Sequence, residues 1–307
     1  MDDLLKIQPE VADALAENKP VVALESTVIT HGLPYPENVE TAVLMETAVR
    51  HGGALPATIA IIKGVVQVGL TEDELQYLGQ LAGTTVRKVS RRDIPLALGN
   101  REDGATTVAG TMILAHQAGI HLFATGGIGG VHRGHPFDVS ADLLELGRTP
   151  VTVVSSGAKS ILDLPATREL LETHGVPVIG YETDELPAFF SRSSGLPVDI
   201  RLDSPEAVAR VVRAHQLAGL QNGLLVTVPV PESAACDPEM IDTAIEQATQ
   251  EADQQGVNGP AATPWLLRRV VQLTNGRSLQ ANVALLRNNG FVAAKIASAL
   301  SALNSLR

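Results

Sequence analysis

The sequence predicts an α/β protein built on a mainly parallel sheet with helices packed against it. Short strand candidates alternate with amphipathic helix candidates along most of the chain. The strand candidates, such as VVAL and VTVV, are continuous apolar runs, which suit strands buried on both faces. Aromatic residues are only 3% of a chain that is 45% hydrophobic, so its core has to be aliphatic.

In order, a helix is expected over Ile7–Asn18 and a buried strand over Val21–Leu24, which runs straight into Glu25, Ser26 and Thr27. Pro36 opens a helix to Arg50, since proline suits a first helical turn, and the strand Thr58–Ile62 follows. Val65, Val66 and Val68 mark a second short strand before the helix Thr71–Leu81. Next come strand Arg87–Val89, helix Thr106–Ala118 closed by Gly119, strand Ile120–Thr125, helix Ser140–Leu146, strand Val151–Val154 and helix Ser160–His174 ended by Gly175. The remainder reads as strand Val178–Ile179, helix Pro205–Ala218, strand Leu224–Val228, helix Pro238–Gln254 and a terminal helix from Ser278 to about Leu303. No internal repeat or interdomain linker interrupts the pattern, so residues 1–307 are expected to form one domain. The loop Asn258–Thr263, ahead of the single tryptophan Trp265, suits a lid or an oligomer contact.

A net charge of −11 argues against a phosphate-backbone footprint, which needs clustered cations, and favours a small-molecule partner over nucleic acid. One cysteine, Cys236, excludes an internal disulfide framework and reads as a packed or loop thiol. The opening MDDLLKIQPEVADAL resembles no secretory leader, and no apolar run nears the roughly 20 residues of a membrane helix. A cytoplasmic protein is expected.

Four strand-end segments concentrate polar and glycine residues: 23–32, 87–93, 124–142 and 153–163. Ligands of α/β sheets collect at strand carboxyl ends, so these segments predict one composite pocket. Lys159 follows an apolar strand and a run of small residues; a partly dry site disfavours its ammonium and leaves an amine able to attack carbonyl carbon, although a solvated helix-capping lysine has the same sequence. Glu25 follows four apolar residues, and partial burial would raise its carboxyl toward the range of a group that both donates and accepts protons. The run Gly126–Gly130 can approach an anion with bare backbone N–H groups or be a plain surface turn. Asp138 and Asp142, four apart at an expected helix start, are hard oxygen ligands suited to magnesium or manganese; one of them capping the helix is the alternative. Lys88, Arg91 and Arg92 form a small basic cluster able to receive a phosphate. His132 and His135 lack the spacing of a zinc site.

Together these segments resemble the pseudouridine-5'-phosphate glycosidase family (indigoidine synthase A-like). The matching runs include VVALESTVITHGLPYPEN, KVSRRDIP, GATTVAGTM, FATGGIGGVHRG, FDVSADL, GAKSILDLPAT and ATPWLL, in order along nearly the whole chain. The resemblance implies a mixed α/β sheet flanked by helices, a homotrimer, one Mn2+ per subunit and cleavage of pseudouridine 5'-phosphate to uracil and ribose 5-phosphate. It makes Lys159 the residue that bonds the sugar C1', Glu25 the proton donor and acceptor, and Asp138 the metal ligand. Lys88, Val108, Ser140, Ala141, Asp142 and Asn282 match substrate-contacting positions. The loop HRGHPFD departs from the family by being shorter.

A carbon–carbon glycosidic bond resists ordinary two-carboxylate chemistry, because uracil C5 would leave as a poor carbanion. A covalent lysine intermediate answers that difficulty. Two rivals remain at this level: a class I aldolase acting on a sugar phosphate, and a sugar-phosphate-binding regulatory module without turnover.

Overall fold

The computed structural model describes residues 4–305 except Leu33, Thr85, Asn258, Pro260 and Ala261, and for Pro136 the backbone alone. Its strands are β1 (Leu5–Ile7), β2 (Val21–Leu24), β3 (Leu55–Ile62), β4 (Val65–Val68), β5 (Arg87–Val89), β6 (Gly104–Thr106), β7 (Leu122–Ala124), β8 (Val131–His132), β9 (His135–Val139), β10 (Thr152–Ser155), β11 (Leu162–Asp163), β12 (Val178–Tyr181), β13 (Ile200–Leu202) and β14 (Leu224–Thr227). Its helices are α1 (Pro9–Ala16), α2 (Glu37–His51), α3 (Glu72–Gln80), α4 (Ile94–Gly99), α5 (Val108–Gln117), α6 (Ala141–Leu146), α7 (Leu164–Thr173), α8 (Pro205–Leu217), α9 (Pro238–Gln254), α10 (Ala262–Leu273) and α11 (Arg277–Ser305).

The central sheet runs β1-β4-β3-β2-β7-β10-β14-β12-β13, with β5 and β6 attached beside β3. From β3 through β2 to β13 every neighbour is parallel, while β3 meets β4 and β6 antiparallel. The sheet is therefore mixed and mainly parallel. Strands β2, β7, β10 and β14 are buried at every position, as their mainly apolar residues require. Helix α11 lies against β2, β7 and β10 and also packs on α2 and α8, while α5 contacts β2, β3 and β7. One contiguous aliphatic cluster extends from Val11 to Leu300. No helix among the described residues is long and apolar enough to cross a membrane.

The expected helix Ile7–Asn18 is a strand followed by a shorter helix. Gln8 precedes Pro9 and takes the extended backbone that proline imposes, which leaves Ile7 free to pair with Val68. The helix expected from Ser160 begins at Leu164, where Asp163 caps it by accepting from the Ala166 N–H, and residues Leu162–Asp163 form β11 instead. Thr106 belongs to β6, so α5 starts one turn-setting residue later, on the Thr107 cap. Two elements went unpredicted near the site: the small sheet β11-β8-β9 and helix α10. Of the expected loop Asn258–Thr263, Asn258, Pro260 and Ala261 lie outside the described residues, and Thr263 is in α10.

Candidate active site

Three adjacent parallel strands end at the same edge of the sheet. β2 delivers Glu25, β7 delivers Thr125 and the glycine run, and β10 delivers Ser156 through Lys159. The extensions of β7 and β10 keep pairing past the strands: Ser156 N donates to Gly126 O at 2.9 Å, Ile128 N to Gly157 O at 3.0 Å and Lys159 N to Ile128 O at 3.1 Å. This ladder fixes the Lys159 backbone. Its Nζ donates to the Gly127 carbonyl at 2.7 Å. The Glu25 carboxylate is held at both oxygens, by the hydroxyls of Thr125 and Thr27.

Above these ends lies a pocket of about 670 Å³. Glu25, Lys88, Val108, Asp138, Ser140, Ala141, Asp142, Lys159 and Asn282 all line it, so the structure brings the nine residues that the resemblance implies to one place. A second cavity, of about 440 Å³, sits at the opposite strand ends beside Val21 and Leu122 and holds none of them.

Asp138 and Asp142 do not share a helix face. Asp138 is on β9, Ser140 caps α6, and Asp142 follows in that helix. The Asp142 carboxylate is already engaged, accepting from the N–H groups of Ala109 at 2.9 Å and Gly129 at 2.8 Å. It braces the start of α5 against the glycine run. Gly129 has to be glycine here, because a Cβ would lie 2.3 Å from Ser140 Oγ. Gly127 meets the same limit, 2.6 Å from the Phe189 ring.

Positive charge gathers around the pocket. Burial, and then the charge of Lys159, push the Lys88 ammonium below its ordinary value, while Asp142 and Glu25 oppose the shift. Arg91 and Arg148 also line it, and both are held by the fully buried Glu145, Arg91 through bonds of 2.9 and 2.6 Å and Arg148 through bonds of 3.3 and 3.1 Å. Burial alone would raise the Glu145 carboxyl, yet the Arg91, Thr149 and Arg148 contacts outweigh it and hold it below the usual range. Arg92 lines the rim, its side chain 82% exposed.

Sequence reasoning missed Thr125, His31, Arg148, Phe189 and Thr263. A hydroxyl between an apolar strand and a glycine run was a usable signal for Thr125. Nothing local marked Arg148, whose partner Glu145 also holds an arginine remote in sequence. Cys236 is buried, as a packed thiol should be, and burial pushes it up.

His31 supplies a stability prediction. Burial, then the Lys88 charge, lower its imidazole below 6.5. The unfolded chain therefore binds the proton first as pH falls, and stability declines below 6.5 until the folded value is passed. Thermal denaturation should show Tm falling from about pH 7.5 to about pH 5.5, with a smaller fall in His31→Asn. An equal fall in both proteins would remove His31 as the source.

Fold and pocket together define an α/β protein that presents an amine and a carboxylate at strand ends on either side of β7. Residues 10–299 match the family model for indigoidine synthase A like protein. The pseudouridine-5'-phosphate glycosidase of Hahella chejuensis is 55% identical over 300 residues, covering 97% of this chain and 99% of the relative. That of Escherichia coli K12 is 56% identical over 297 residues, covering 96% and 95%. Among solved structures, the prealnumycin C-glycosynthase AlnA in complex with ribulose 5-phosphate superposes with a TM-score of 0.91 at 44% identity over the full length of both chains. An indigoidine synthase A-like protein from Thermotoga maritima superposes with 0.88 at 38% identity, covering 97% of each. The chain belongs to the indigoidine synthase A-like family of enzymes.

Proposed function

We propose that this enzyme reversibly cleaves the C-glycosidic bond of pseudouridine 5'-phosphate, giving uracil and ribose 5-phosphate. The observation that carries the reading is one juxtaposition: the extension of β7 touches both Glu25, through the Thr125 hydroxyl, and Lys159, through the Gly127 carbonyl. Near full-length relatives bearing that name support the substrate, and a C-glycosynthase neighbour holding a sugar phosphate supports the bond type.

In this mechanism the neutral Lys159 amine adds to C1' as the C1'–O4' bond opens, and Glu25 gives O4' its proton. Glu25 takes back the proton the amine sheds. The C1'–C5 bond then breaks with its electron pair passing to uracil C5, which Glu25 protonates, leaving an iminium between Nζ and C1'. Water hydrolyses it to ribose 5-phosphate and the free amine. Lys88, with Arg91 and Arg148, receives the phosphate, and that remote binding positions C1'. Asn282, which lines the pocket with its Oδ1 3.5 Å from where a Cβ on Gly126 would be, is the residue this reading gives to the base.

No set of three or more His, Cys, Asp or Glu side chains converges as a metal cage among the described residues. Asp138 would be the carboxylate that holds a manganese ion, and such an ion would supply charge neutralisation at the phosphate end. A homotrimer and a cytoplasmic setting belong to the same reading.

Uracil release from pseudouridine 5'-phosphate in the presence of manganese tests the function, and no release would return the pocket to the aldolase reading. Chelation should suppress turnover and added manganese restore it. Full activity after chelation would remove the ion from the mechanism.

A further inference from the structure

We infer that Asn289, which does not line the pocket, is the positioning residue that sets Lys159 and Glu25 relative to each other; this rests on the proposed reaction. Asn289 lies in α11 and is 0% exposed. Its Nδ2 donates to the carbonyl of Thr125 at 2.9 Å and of Gly126 at 3.3 Å. It also meets the Ser156 hydroxyl, which is itself 0% exposed, through Nδ2 at 3.2 Å and Oδ1 at 3.3 Å. Two carbonyls on one side settle which end of the amide carries hydrogen.

Its partners are the first residues of the β7 and β10 extensions, at the base of the ladder that runs on to Lys159. Thr125 carries the hydroxyl that holds Glu25. Gly126 accepts from Ser156 N at 2.9 Å in the first rung of the ladder that ends at Lys159. The next residue, Gly127, offers the carbonyl that Lys159 Nζ contacts. One buried amide thus ties the anchor of the acid–base group to the anchor of the nucleophile. Without it, three buried polar groups lose a partner and relax by moving the strand ends toward other donors. Because neither Asn289 nor Ser156 lines the pocket, such a shift changes where the reacting groups stand and leaves the cations at the phosphate end in place.

The test uses Asn289→Leu, close in size without hydrogen bonding, and Ser156→Ala, which removes only the hydroxyl. Steady-state uracil release is measured with amide hydrogen exchange over residues 124–129 and 155–160. In Asn289→Leu, kcat should fall by about 10²-fold, as for a misplacement of about 1 Å, with KM within about threefold. Exchange should accelerate in those two segments. Ser156→Ala should show a smaller kcat loss in the same segments and carries the test if Asn289→Leu does not fold. Wild-type kcat with unchanged exchange, or a loss confined to KM, would overturn the inference. An inactive wild type would instead overturn the proposed reaction, and the exchange data would still decide whether Asn289 holds the two strand ends.

Discussion

Uracil release falls by about 10⁴-fold or more in Lys159→Ala, the scale on which removing a covalent nucleophile acts. The same substitution should abolish the stable adduct that borohydride forms from wild-type protein and ribose 5-phosphate. That sugar offers an aldehyde in its open form, and the Lys159 amine is held 2.7 Å from the Gly127 carbonyl at the pocket floor. Peptide mass spectrometry should place the adduct on Lys159. The contrast is Lys88→Ala. Lys88 lies in the same pocket and interacts with Lys159, but the proposed reaction assigns it to the phosphate. Its loss should raise KM and still permit labelling. An adduct on Lys88, or normal turnover in Lys159→Ala, would refute the assignment.

Glu25→Gln should lower kcat by about 10² to 10⁴-fold, the usual reach of general acid–base catalysis, while KM and Tm stay near wild type. Glutamine has the size of glutamate and can still accept from one threonine hydroxyl, but it cannot exchange a proton. One amide end must then face a hydroxyl as a donor, which Thr27 or Thr125 can accommodate by rotating. A fall in Tm would mean that the amide disturbs the fold. Wild-type kcat would transfer the proton role to another group, and the Thr125 contact would then be structural only.

Much of the site could be read along the chain because strands and their carboxyl ends are local features. Val21–Leu24 had to be a strand, and the residue after it had to stand at its end; that is why Glu25 could be named without a fold. The same holds for Lys159 beyond Thr152–Ser155. What local reasoning misjudged were contacts made across the sheet. Asp142 read as a free carboxylate at a helix start, yet each of its oxygens accepts a backbone N–H, from Ala109 and from Gly129. The β8-β9 hairpin that carries Asp138 lacks strand alternation in the sequence, turns on Arg133-Gly134 with Gly134 at φ 73°, and is joined on its other side by β11. Helix α10 did leave a trace, since Ala262, Leu266 and Val270 recur every fourth residue and are buried.

By itself the sequence determined the α/β class, the run of parallel strands, the family resemblance and the residue types available for chemistry. Those depend on apolar periodicity and short-range chain geometry, which are written in neighbouring residues. The tertiary structure alone decided that Thr125 faces Glu25, that Asp142 is a brace, that Glu145 gathers Arg91 and Arg148, and that Asn289 joins two strand ends from beneath. A buried hydrogen bond is satisfied by whichever partner the packing brings near, and its partners here lie up to 164 positions away.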